Sequence, residues 1–125
     1  QKGAAAVQEV EGATGGASAL AALHSTVGYM PLDYKDEASL RSALTSGVEC
    51  VVHTAGPYSD PTVLRASIDC GVPFYVDVAD PLTYIDKALA MKDDAEAKGT
   101  TALVCGGAFP GLSNLLAVEA ASLLG

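Results

Sequence analysis

The sequence predicts an α/β fold, a parallel sheet whose strands are joined by crossover helices. Two observations carry that expectation. Short apolar runs recur along the chain, and each is followed by a stretch with helical spacing that ends at glycine. Strands alternating with helices of this length call for right-handed crossovers within one sheet, and uninterrupted apolar strands call for cover on both of its faces. A chain of 125 residues fits one domain with a real core.

Residues 1–23 are rich in Ala and Gly, with Gly12, Gly15 and Gly16 interrupting any helix, and are expected to be flexible or weakly helical. The folded region is expected over 24–125. Residues 27–34 read as a strand ending at Asp33, and Asp36 opens a helix with Leu40, Ala43 and Leu44 on one face, closed by Gly47. The unit then repeats. Strand 50–54 leads to helix 61–70, capped by Asp60 with Pro61 at its first position and ended by Gly71. Strand 74–78 leads to helix 82–98, which Gly99 stops, with Asp80 read as its cap. Strand 101–105 runs through Gly106, Gly107 and Pro110 into a last helix over 112–124. The strands are expected to lie in sequential order, from Tyr29 through Val52 and Val76 to Val104.

Charge narrows the partners. With 15 Asp and Glu against 7 Lys and Arg, the net charge of -8 argues against nucleic acid or an anionic membrane surface, either of which would want clustered basic residues. No apolar run approaches the roughly 20 residues of a membrane-spanning helix, and no secretory signal opens the chain, so an intracellular, soluble protein is expected. Cys50, Cys70 and Cys105 are widely spaced in apolar surroundings, which points to reduced core thiols. No metal-ligand spacing is present.

The most informative stretch is Val51-Val52-His53-Thr54-Ala55-Gly56-Pro57-Tyr58, an apolar run that stops at a turn of small residues. In open α/β sheets the ligand crevice lies outside the carboxyl ends of the strands, where Thr54, Ala55, Gly56 and Pro57 would sit. Gly56 leaves room for close approach to the backbone, and a plain strand-to-helix turn is the alternative. The strand Tyr75-Val76-Asp77-Val78-Ala79-Asp80 places carboxylates where a buried strand meets its loop, a costly position unless the charge is paired or used. In Gly106-Gly107-Ala108-Phe109-Pro110-Gly111-Leu112-Ser113-Asn114, glycine-rich backbone before a helix start offers free N–H groups to an anionic or carbonyl group, unless Ser113 or Asn114 only caps the helix. His53 reads as a hydrogen-bonded core histidine and His24 as solvated. No catalytic residue is named.

A dinucleotide-binding fold normally opens with a strand, a G-x-G-x-x-G turn and a helix holding the pyrophosphate. Gly12-Ala13-Thr14-Gly15-Gly16 has no apolar strand before it and reads as a linker. The expectation is therefore a Rossmann-like sheet truncated at the N-terminus, binding NAD(P) at millimolar strength at best on its own and exposing an apolar edge that favours self-association.

The order A-G-P-Y, then G-V-x-x-Y-V-D-V-A-D, then G-x-x-P-G-L-S-N resembles the NAD(P)-binding domain of the saccharopine dehydrogenase family over about 24–125. The resemblance implies a Rossmann domain that binds NAD or NADP for hydride transfer to or from a small-molecule substrate. It implies Asp33 near the adenine, Ala55, Gly56 and Pro57 along the cofactor, and Asp77 close to the nicotinamide end. Residues 109–114 would lead toward a second, substrate-binding domain, expected to be absent here. Two other readings stay open. An extended short-chain dehydrogenase also suits V-V-H-T-A-G but needs Tyr-x-x-x-Lys, whereas Tyr58, Tyr75 and Tyr84 are followed at that spacing by Thr62, Ala79 and Ala88. A nonenzymatic nucleotide-sensing module would keep the fold without catalysis.

Overall fold

A computed structural model describes residues 28–124, and among these residues three parallel strands form one sheet. The chain divides into two compact units, Gln1–Leu32 and Asp33–Gly125. Within the first, residues 28–32 are exposed and without regular secondary structure. The expected Ala/Gly-rich segment 1–23 lies outside the described residues.

In the second unit, helix α1 spans Glu37–Leu44 and strand β1 Cys50–His53, followed by α2 (Thr62–Asp69), β2 (Phe74–Asp77), α3 (Leu82–Leu89), α4 (Lys92–Lys98), β3 (Thr101–Leu103) and α5 (Leu112–Leu124). The sheet order is β1-β2-β3 with both pairings parallel, in the sequential order expected for these three. His53 pairs with Asp77, and Val76 with Leu103, so the carboxyl ends of all three strands open on one edge. This is a Rossmann-like α/β arrangement.

The helices form for recognisable reasons. Asp36 caps α1 by accepting from the Ala38 N–H at 3.2 Å, and the helix turns Leu40 and Leu44 into the core. Helix α2 buries Val63, Leu64, Ala66 and Ile68, while the buried Ser67 hydroxyl donates to the Val63 carbonyl at 2.7 Å. Gly71 and Gly99 take φ of +69° and +71°, the left-handed geometry that lets the chain leave a helix where a side chain would be strained. Helix α2 packs on α1 and α4, and α4 on β3. Tyr75, Tyr84, Val72 and Met91 complete the core. Each fully buried large side chain contributes about 1.5–3 kcal/mol relative to exposure.

Several expectations are corrected. The described part of the strand expected over 27–34 is not a strand: Pro31 has no N–H for a ladder, and among the described residues β1 pairs with β2 alone. Tyr29 is therefore outside the sheet. Residues 33–36 instead make a turn in which the Asp36 N–H donates to the Asp33 carbonyl at 3.1 Å. The single helix expected over 82–98 is two. The chain tightens at Ala90 and Met91, where the Met91 N–H bonds the Ala88 carbonyl three residues back, and a new acidic first turn, Asp93 and Asp94, opens α4.

Asp60 and Asp80 cap nothing. The N-cap positions are Pro61 and Pro81, neither of which has a side-chain cap bond, and Asp60 pairs with Lys87 at 3.0 Å instead. Cover on both faces also fails: Val52, Phe74 and Leu103 are exposed, because the described helices that bury the sheet pack against the face carrying Val51 and Tyr75. The cysteines are free, yet none is a fully buried core thiol, and Cys50 is exposed. Among the described residues, no helix is long and apolar enough to cross a membrane.

Candidate functional site

The parallel sheet delivers three loops to one edge: 54–57 after β1, 78–81 after β2 and 104–111 after β3. Thr54, Ala55, Gly56 and Pro57 are all exposed. A Cβ built on Gly56 would meet nothing closer than the Tyr58 ring at 3.8 Å, so the turn leaves space beside its backbone on the solvent side. The third loop is tight. At Gly106 and Gly107 a Cβ would come within 3.2 Å of the Asp77 and Pro110 carbonyls respectively, and at Gly111, with φ +116°, it would collide with the Gly107 carbonyl. These glycines close the loop upon itself; Gly56 alone of the four borders open space.

Asp77 holds this edge together. Its carboxylate is wholly buried, with Oδ1 accepting from the Ala79 N–H at 3.2 Å and the Cys105 N–H at 3.0 Å, and Oδ2 accepting from the Tyr84 hydroxyl at 2.7 Å. Its backbone carbonyl accepts from the Gly106 N–H at 2.7 Å. The charge that the sequence made costly is thus paired by three donors, which offsets its desolvation. Burial first, and the nearby Asp77 charge second, push the Cys105 thiol above its usual value.

Beside Asp77 lies an aromatic cluster. His53 is buried, and its Nδ1 is 3.1 Å from the Tyr75 hydroxyl, which is in turn 3.1 Å from the Tyr84 hydroxyl. Its Nε2 is buried without a protein partner among the described residues. The Tyr58 hydroxyl donates to the His53 carbonyl at 3.0 Å, spanning the 54–57 turn, and its ring stands edge-on to His53 at 5.1 Å. Burial pushes His53 below its usual value of 6.5, against the opposing pull of the Ala55 carbonyl and Asp77, and pushes Tyr75 and Tyr84 above their usual 10.0.

The structure therefore brings 54–57 and Asp77 to one edge. Asp33 lies on the turn before α1, its Oδ1 accepting from the Lys35 N–H at 2.9 Å, and its neighbour Tyr34 places a ring 5.6 Å from His53. Sequence reasoning missed Tyr58, Tyr75 and Tyr84 as members of this cluster. A signal for Tyr75 was present, since a phenol on a buried strand needs a hydroxyl partner and Asp77 lies two residues on, pointing to the same face. For Tyr84 there was none, because Asp86 and Asp80 are nearer to it in sequence than Asp77.

A cavity of ≈ 470 Å³ lies away from the 54–57 turn, between α2, α4 and β3, lined by Leu64, Ile68, Met91 and Thr100 among others. It runs along β3 from Thr101 and Ala102 to Val104 and is lined by none of residues 54–57.

The family model for the saccharopine dehydrogenase NADP-binding domain matches residues 7–103, most of the chain. The chain belongs to that family. No curated protein and no solved structure matches it. The match starts upstream of residue 24, where the folded region was expected to begin, and ends before the Gly106 to Asn114 motif. As a saccharopine dehydrogenase-type NADP-binding domain the chain binds a dinucleotide, and NAD(P) is its cofactor class. The residues present fit that ligand: an exposed turn of small side chains, open beside Gly56, sits at the carboxyl edge where doubly wound sheets take dinucleotides.

Proposed function

We propose that the protein is an NAD(P)-dependent oxidoreductase acting on a small-molecule substrate. The observation that carries this reading is the pairing of His53 with Asp77 in register, which sets the open 54–57 turn beside the ends of β2 and β3 in a family domain that binds NADP. Thr54, Ala55, Gly56 and Pro57 line the cofactor, Asp33 stands toward its adenine end, and Asp77 toward its nicotinamide end. The cofactor supplies the hydride chemistry; this chain holds and orients it. The acidic balance of the sequence supports a partner list without nucleic acid, and the exposed Val52, Phe74 and Leu103 support self-association.

The orientation is tested by amide chemical-shift mapping, which reads millimolar binding. Reduced nicotinamide mononucleotide is expected to shift Val78, Ala79 and Cys105 to Gly107, and adenosine 2′,5′-bisphosphate to shift residues 33–36. Both halves are expected to leave α4 unmoved. Shifts at the two ends in the reverse order would overturn the assignment.

A further inference from the structure

Four buried side chains at the candidate site form one hydrogen-bonded series, and its direction is determined at one end. Asp77 is the only member that can only accept, and the Tyr84 hydroxyl donates to it. That uses the single hydroxyl proton of Tyr84. Tyr84 must therefore accept from Tyr75 across their 3.1 Å contact, and Tyr75, its own proton spent, must accept from His53 Nδ1 at 3.1 Å. His53 is then a neutral imidazole with its proton on Nδ1 and its lone pair on the buried Nε2.

Both ends of this series are tied to loops of the crevice. His53 is the last residue of β1, and its carbonyl accepts from Tyr58, so the 54–57 turn leaves from and returns to the same cluster. Asp77 holds the Cys105 N–H directly.

We propose that His53, Tyr75, Tyr84 and Asp77 are positioning residues: a one-way series of hydrogen bonds from His53 to Asp77 sets the 54–57 turn against the Cys105 loop, with His53 locked as its Nδ1–H tautomer. None of the four needs to touch the cofactor. The inference rests on the dinucleotide reading for its purpose, while the series itself stands on geometry alone.

The test is the tautomer of His53, read by ¹⁵N NMR on the full chain with labelled histidine and His24→Gln to leave one imidazole. At pH 8 the unaltered series predicts a protonated Nδ1 and an unprotonated Nε2. Asp77→Asn keeps the shape but turns a donor amide toward Tyr84, which reverses every bond and moves the proton to Nε2. Tyr84→Phe frees Tyr75 to donate to His53 and moves it likewise, so either variant suffices if the other fails to fold. An Nε2–H tautomer in the unaltered chain, or no change in a folded variant, would overturn the series.

The purpose is read by NADPH titration, followed at the Ala55 and Gly56 amides. A several-fold weaker affinity in Asp77→Asn supports positioning, and an affinity equal to that of the unaltered chain overturns it. Absence of any NADPH-induced shift in the unaltered chain contradicts the dinucleotide reading, whereas the tautomer result judges the series separately.

Discussion

The two faces of one small sheet differ more than the sequence of its strands would indicate. Val51 and Tyr75 face helices; Val52 and Phe74, one residue away along the same strands, and Leu103 on β3 face outward and are more than half exposed. Successive strand residues point to opposite faces, so equally apolar neighbours meet opposite fates. The covered face carries both the packing and the polar series that ends at Asp77. Among the described residues, stability resides in a single layer of contact between the sheet and helices α1 to α4, with the candidate site built on its rim.

The largest test of that contrast pairs Tyr75→Ala with Phe74→Ala, adjacent aromatics on opposite faces. Removing the buried ring is expected to cost about 3–5 kcal/mol, the range for large-to-small changes in a core. Removing the exposed one is expected to cost no more than about 0.5 kcal/mol. Urea denaturation of the two variants measures both, and equal losses would mean that the outer face is covered in solution.

Asp77→Ala comes next. It orphans the Ala79 and Cys105 N–H groups and the Tyr84 hydroxyl in a buried setting, and a cost of about 2–3 kcal/mol is expected by the same measurement. A loss below about 0.5 kcal/mol would show that the three donors find other partners and that Asp77 does not hold the edge together.

Smaller effects follow from titration. His53 binds its proton less readily folded than unfolded, so its contribution is complete above about 6.5 and is lost as pH falls through the lowered folded value. Tyr75 and Tyr84 are raised, so theirs is complete below 10.0 and is lost as pH rises beyond it. Stability measured across pH should therefore fall on both sides, and His53→Gln should flatten the acid side alone.

The elements that depend on local chemistry were legible in the sequence. Asp36 opens α1, Gly71 and Gly99 leave helices in left-handed geometry, and the apolar runs at β1, β2 and β3 pair in parallel and in order. What failed depends on partners distant in the chain. Residues 28–34 have strand-like composition and no ladder, Asp60 looks like a cap but finds Lys87, and the 82–98 periodicity hides a tightened turn at Met91. At the site, the 54–57 turn and Asp77 were visible as motifs. The series through Tyr84, Tyr75 and His53 was not, because its contacts join β1, β2 and α3 and exist only once those elements pack.

If the dinucleotide lies against the turn after β1, Gly56 is where a substitution should be felt first. The fold leaves room for a side chain there, with only Tyr58 at ordinary contact distance, so a larger residue should be felt by the ligand rather than by the protein. Titrating NADPH against Gly56→Val, with Ala97→Val on the exposed face of α4 as control and circular dichroism to verify folding, should show weakening by at least about 1.4 kcal/mol, about tenfold, in the first variant and none in the second. Unchanged affinity in a folded Gly56→Val protein would contradict the account and reduce the turn to a connection between β1 and α2.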